Sequence, residues 1–116
     1  MKYNIASAIN YLEDLTGYKT RRLAHAKGED NKLPLAIATS YSYYDLEFME
    51  TQVTIAIPTG LDGITPMQLS KHQAKMIEAF HHPVIFALES VASYQIARLT
   101  QAKVDFIVPG KIVSPA

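Results

Sequence analysis

Cysteine is absent from the 116 residues of this chain. Its absence excludes a disulfide framework, a thiolate nucleophile and a metal site built from cysteine. An excess of one charge is also missing, because 11 basic residues are balanced by 11 acidic residues. A protein that binds DNA or RNA on its own usually carries a basic excess, since phosphate contacts supply much of its affinity. The composition therefore argues against nucleic-acid binding by this chain alone.

Long apolar runs are missing as well. No stretch approaches the about 18 apolar residues that a membrane-spanning helix needs. The N-terminal sequence MKYNIASAIN has no apolar core of the kind found in signal peptides. We therefore expect a cytoplasmic protein without a membrane segment. A length of 116 residues further predicts a single domain, 1–116, that is large enough to bury a core.

Residues 83–111, PVIFALESVASYQIARLTQAKVDFIVPGK, predict a strand, a helix and a second strand. The apolar run 84–88 is typical of a strand that is covered on both faces. Ser90 stands where it can cap the helix, and residues 106–108 form the next short strand. Two buried strands joined by a helix indicate a right-handed parallel crossover, and hence an α/β domain.

Two further helices are predicted. The first covers about residues 4–15, and Gly17 follows it where a C-terminal cap belongs. The second covers about residues 66–80, because Thr65 is a suitable N-cap and Gln68 completes a capping box. The inward face of this second helix is predicted to consist of Leu69, Met76, Ile77 and Phe80.

Residues 33–58 are rich in aliphatic residues, threonine and tyrosine, which favours strands. We expect two or three antiparallel strands here, while residues 18–32 are polar and end in a loop signal. The sequence thus predicts a small layered α/β domain with a mixed sheet. Its antiparallel strands are N-terminal, its parallel βαβ crossovers are C-terminal, and it has about three helices.

No catalytic or metal-binding constellation stands out, and no cofactor is predicted. His72, His81 and His82 lie on or after one predicted helix, but their spacing matches no recognised zinc pattern. We interpret them as structural or solvent-exposed residues.

Three acidic residues near one predicted strand, Asp45, Glu47 and Glu50, invite comparison with nucleases that hold a metal ion on a sheet. Such a site also needs an acidic residue and a lysine on the following strand, and TQVTIAIP holds neither. A nuclease-like fold that is inactive or weakly active is therefore an alternative interpretation.

Three sets of residues are candidates for binding. Tyr41, Tyr43 and Tyr44 suit a contact with a protein partner, since tyrosine is favoured at interfaces, although packing on the sheet would explain them equally well. The basic cluster between residues 19 and 27 makes Arg21 and Arg22 candidates for phosphate binding. Open α/β sheets bind ligands beyond the carboxyl ends of their parallel strands. The residues predicted to lie there are Glu89, Ser90, Pro109 and Gly110.

Several short blocks resemble the N-terminal α/β module of bacterial MarR-type transcriptional regulators. The most distinctive is Phe106–Lys111, FIVPGK, and the resemblance extends over almost the whole chain. The other matching pieces are Leu15-Thr16-Gly17, Leu33-Pro34-Leu35, Thr65-Pro66, Leu69-Ser70-Lys71-His72 and Pro83-Val84-Ile85-Phe86.

In that family the α/β module precedes a winged helix-turn-helix domain that reads DNA. The winged helix would follow Lys111, and the 116 residues do not include it. The resemblance implies an accessory domain that forms a homo-oligomer, senses a ligand or holds a protein partner. It implies contact with DNA only through the separate winged helix, and it supplies no catalytic residues. A free-standing domain that binds a small molecule is the remaining alternative.

Overall fold

A computed structural model of the chain describes residues 5–23, 32–59, 65–88 and 93–108. Within these ranges, five strands form one sheet in the order β1-β2-β3-β4-β5. The first three strands are antiparallel, whereas β3, β4 and β5 are parallel. The predicted α/β fold with a mixed sheet is therefore confirmed. In chain order the elements are α1 (Ile5–Thr16), β1 (Arg21–Leu23), α2 (Leu35–Ala38), β2 (Tyr41–Phe48), β3 (Thr51–Pro58), α3 (Pro66–Phe80), β4 (Val84–Ala87), α4 (Ser93–Gln101) and β5 (Phe106–Ile107).

Helices cover both faces of the sheet. On one face, α2, α3 and α4 pack against Tyr43 and Phe86. On the other face, α1 packs against Leu46 and Ile55. Val84, Phe86 and Ala87 are all fully buried, so β4 is covered on both sides as its apolar run predicts.

The start of α3 follows the capping box that the sequence predicts. The Thr65 hydroxyl accepts a 3.1 Å hydrogen bond from the Gln68 backbone N–H, and Gln68 Oε1 accepts a 2.9 Å bond from the Thr65 N–H. The prediction of the inward face was wrong for Ile77, which is 40% exposed. Gln73 is buried instead, because its amide nitrogen donates to the backbone oxygens of Val84 and Asp105.

Two short elements differ from the expectations. Residues 35–38 form a helical turn rather than a strand, because the hydroxyls of Thr39 and Ser40 bond back to the carbonyl oxygens of Leu35 and Ala36. The third antiparallel strand is instead Arg21–Leu23, within the polar stretch 18–32 for which the sequence predicts no strand. Four helices therefore occur in the described ranges, where about three were expected.

The longest described helix, α3, has 15 residues. Across the ranges that the structure describes, no helix combines the length and the apolar character needed to cross a bilayer.

Candidate functional site

The parallel strands define two edges of the sheet. The carboxyl edge is the side on which β3, β4 and β5 end, at Pro58, Ala87 and Ile107. The amino edge is the opposite side, where these strands begin. Because β2 runs antiparallel to β3 and Tyr41 pairs with Pro58, the start of β2 also lies at the carboxyl edge.

A tyrosine and a histidine are paired beside this carboxyl edge. The Tyr41 hydroxyl lies 2.8 Å from His72 Nδ1, and the two rings meet edge to face with their centroids 5.8 Å apart. Tyr41 is only 4% exposed and also packs on Phe86, with a centroid distance of 5.4 Å. His72 is half-buried on α3. We refer to this arrangement as the Tyr41–His72 pair.

Burial disfavours the charged form of both members of the pair. It raises the pKa of Tyr41 to about 12, because the tyrosinate would lose its hydration. It lowers the pKa of His72 from 6.5, because the imidazolium would lose its hydration in the same way. The pair therefore offers neutral hydrogen-bonding groups rather than a fixed charge.

A second polar cluster lies toward the amino edge. The Thr54 hydroxyl donates a 2.7 Å hydrogen bond to Asp45 Oδ1 and lies 2.6 Å from His82 Nε2. Thr54 has one hydroxyl proton, so its oxygen accepts a hydrogen bond from His82 Nε2–H while the hydroxyl donates to Asp45. These hydrogen bonds connect the turn after α3 to β3, the central strand of the sheet. A structural role is therefore enough to explain the cluster.

The three acidic residues compared with nuclease residues do not form a metal site. Asp45 is buried and accepts a hydrogen bond from the Thr54 hydroxyl. Glu47 accepts two hydrogen bonds from Arg21, at 2.6 and 3.0 Å. Glu50 is exposed in the turn between β2 and β3. In the described ranges, no three histidine, cysteine, aspartate or glutamate side chains come together to hold a metal ion.

The three tyrosines lie in different environments. Tyr41 and Tyr43 are buried, and the Tyr43 hydroxyl donates to the backbone oxygen of Ile37 at 2.7 Å. Tyr44 is half-buried on the opposite face, among residues that pack near α1. The burial of the first two favours sheet packing, and a partner contact by the set stays a prediction.

Each of the two arginines already has an intramolecular contact. Arg21 forms an ion pair with Glu47, and the Arg22 guanidinium lies 5.6 Å from the centroid of the Tyr44 ring. Both arginines are exposed. A phosphate at Arg21 would have to compete with the Glu47 carboxylate.

The four residues predicted to line a ligand site, Glu89, Ser90, Pro109 and Gly110, lie outside the described residues. The strands that precede them both end at the carboxyl edge. The assignment of a ligand site to these four residues therefore stays a prediction, and so does the role of Ser90 as a helix cap.

The sequence does not predict that His72 lies beside Tyr41 or that His82 lies beside Thr54. Tyr41 and His72 are separated by 31 residues, and Thr54 and His82 by 28. Each contact depends on how α3 crosses the sheet, so no local pattern signals it. The best indication in the sequence is that each histidine lies on, or directly after, the predicted helix 66–80.

The chain matches no protein-family model, no curated protein and no solved structure. The resemblance to MarR-type regulators consequently stays a prediction.

Proposed function

We propose that this chain is a ligand-sensing α/β module that works with a separate DNA-reading winged helix, as the accessory N-terminal domain of a bacterial transcriptional regulator. The function is binding rather than catalysis. The family part of the proposal rests on the sequence resemblance alone. The ligand-sensing part has support from the geometry.

The position of the Tyr41–His72 pair carries the ligand-sensing part. Ligands of open α/β sheets bind beyond the carboxyl ends of parallel strands, and this pair lies beside that edge. A half-buried histidine next to a buried tyrosine supplies the few polar groups that a mainly apolar binding site needs to orient a small molecule.

A thermal-shift panel tests the binding function. The panel contains amino acids, nucleotides, sugar phosphates and aromatic carboxylates. We expect at least one compound to raise the melting temperature with increasing concentration, because a ligand that binds only the folded state stabilises it. We expect His72→Asn to reduce that shift at each ligand concentration.

His81→Asn is the matched control. His81 is an exposed histidine at the far end of the same helix, and its φ of 63° is one that asparagine tolerates. The shift should persist in this variant. A panel in which nothing stabilises the protein would contradict the proposal, whereas a shift that His72→Asn leaves intact would place the ligand away from His72.

The intact mass of the native gene product tests the link to a DNA-reading domain. We expect a mass larger than that of the 116 residues by one more domain, on the order of 100 residues or more. A mass that corresponds to 116 residues would instead favour a free-standing domain that binds a small molecule, which the Tyr41–His72 pair supports equally well.

Self-association is the other role that the resemblance implies. Tyr44→Ala is the appropriate variant, because Tyr43 is buried and its loss would damage the core. If Tyr44 contributes to a homo-oligomer, sedimentation should show weaker association in this variant. An unchanged sedimentation profile would remove Tyr44 from the interface.

A nuclease is the alternative from another class. Asp45 and Glu47 both bind other side chains of the protein, so we expect no magnesium-dependent cleavage of plasmid DNA. Cleavage that is abolished by Glu47→Gln would favour the nuclease instead.

A further inference from the structure

The proton positions of the Tyr41–His72 pair follow from the surroundings of Tyr41. A neutral histidine carries one ring proton, and a tyrosine hydroxyl can donate one hydrogen bond. If His72 Nδ1 carried the proton, the Tyr41 hydroxyl would accept a hydrogen bond from Nδ1–H, and the hydroxyl proton would need another acceptor. Among the described residues, the only hydrogen-bond partner of this buried hydroxyl is His72.

An unsatisfied donor in a buried position is costly, so the other arrangement is favoured. In that arrangement the Tyr41 hydroxyl donates to His72 Nδ1, and the ring proton of His72 lies on Nε2. Tyr41 acts as a positioning residue here, because its hydrogen bond fixes the tautomer and the orientation of the imidazole ring. Tyr41 itself is buried and does not face solvent.

His72 then presents a donor that the described part of the chain does not use. Within the described ranges, Nε2 of this half-buried histidine has no hydrogen-bond partner. Water can satisfy a half-buried donor of this kind, and a ligand that accepts the same hydrogen bond can take the place of that water.

We propose that His72 Nε2–H donates a hydrogen bond to a ligand bound at the carboxyl edge. The ligand is a small organic molecule whose oxygen accepts this hydrogen bond. This inference rests on the proposed ligand-sensing function. Carboxylate, carbonyl and phosphate oxygens share the required chemistry. Ammonium groups and metal cations do not, because the ring nitrogen that faces the ligand carries a proton.

The tautomer is tested first, by long-range ¹H–¹⁵N correlation of the histidine rings at pH 7.5. We expect the His72 signals of a ring protonated on Nε2 and unprotonated on Nδ1. Tyr41→Phe removes the hydroxyl and should give a mixture of tautomers, whereas His81→Asn should change nothing at His72. A His72 ring protonated on Nδ1 would overturn the inference.

The ligand class is tested by titration with acetate, benzoate and inorganic phosphate, and with methylamine and benzylamine as matched cations. At least one anion should shift the His72 Nε2 resonance, and neither amine should do so. His72→Asn should weaken binding of that anion by about tenfold, which is the effect of a lost hydrogen bond worth roughly 1.4 kcal/mol. His72→Gln places an amide donor near the Nε2 position and should restore part of the affinity.

The two proposals fail in different ways. A compound from the thermal-shift panel can stabilise the protein without shifting the His72 resonance, and can bind His72→Asn as tightly as the wild type. In that case the ligand-sensing function stands and this inference is wrong. If amines and anions shift His72 equally, the assigned ligand class is wrong. If no compound binds by either method, the proposed function fails and the inference fails with it.

Discussion

The hydroxyl of Thr54 donates a 2.7 Å hydrogen bond to Oδ1 of Asp45, the residue directly opposite it on the neighbouring strand. Both side chains are buried, Thr54 completely and Asp45 to within 5% of full burial. A buried carboxylate needs such partners, because its removal from water is otherwise very costly.

Thr54→Val should therefore destabilise the protein without changing its shape. Valine fills the same space but removes the partner that Asp45 and His82 share, and we expect a loss of about 1–3 kcal/mol in the free energy of unfolding. Urea unfolding measures it. Thr51→Val, on the exposed start of the same strand, is the control and should stay within about 0.5 kcal/mol of the wild type. Equal losses in both variants would show that the buried cluster adds no stability.

Alkaline pH should destabilise the protein through Tyr41. Burial raises the pKa of this hydroxyl from 10 to about 12, so the folded protein holds the proton more tightly than the unfolded chain does. The stability is therefore complete below pH 10 and falls as the pH rises from 10 towards 12. Unfolding in urea at pH 9, 10 and 11 should show this decline, and Tyr41→Phe should flatten it. A wild-type decline no steeper than that of the variant would contradict the assignment.

Mild acid should destabilise the protein through His72. Burial lowers the pKa of this imidazole below 6.5, so the unfolded chain binds the proton more readily than the folded protein. The contribution of His72 is thus complete above pH 6.5 and is lost as the pH falls through 6.5 towards the lower folded value. Melting temperatures between pH 7.5 and 5 should decline less in His72→Asn than in the wild type. Parallel declines would assign the acid sensitivity to other groups.

The helix that carries His72 was predictable from its sequence, because a capping box is a local signal. Thr65 and Gln68 are three residues apart, and their reciprocal hydrogen bonds need no help from the rest of the fold. The buried strand 84–87 was predictable for a related reason. An unbroken apolar run fits few positions other than the centre of a covered sheet.

The candidate site was not predictable in this way. The Tyr41–His72 contact spans 31 residues and exists only because α3 crosses the sheet beside the start of β2. The short strand β1 was missed for a different reason. Its three residues include two arginines, and pairing with β2 rather than intrinsic propensity holds them in the sheet.

Phosphate binding at Arg21 should increase when Glu47 loses its charge. The Arg21 guanidinium donates two hydrogen bonds to Glu47 Oε1, and both side chains are well exposed, so the pair itself is worth less than about 1 kcal/mol. Glu47→Gln should leave the urea midpoint nearly unchanged while it raises the affinity for inorganic phosphate, as measured by isothermal titration calorimetry. Arg21→Gln in the same background should remove the effect. An affinity that Glu47→Gln leaves unaltered would exclude Arg21 as a phosphate site.

The turn between β2 and β3 offers a gain in stability. Phe48 pairs with Thr51, so Met49 and Glu50 are the two central residues of the turn, and both have positive φ angles of 53° and 59°. Two-residue hairpin turns of this kind favour Asn-Gly, since other residues are strained at positive φ. Replacing Met49 and Glu50 by Asn and Gly should therefore stabilise the protein by about 1 kcal/mol, which urea unfolding would detect. Glu50→Ala removes the same charge but keeps a Cβ atom, so it should give no gain. If Glu50→Gly and Glu50→Ala had the same stability, backbone strain in the turn would not be the cause.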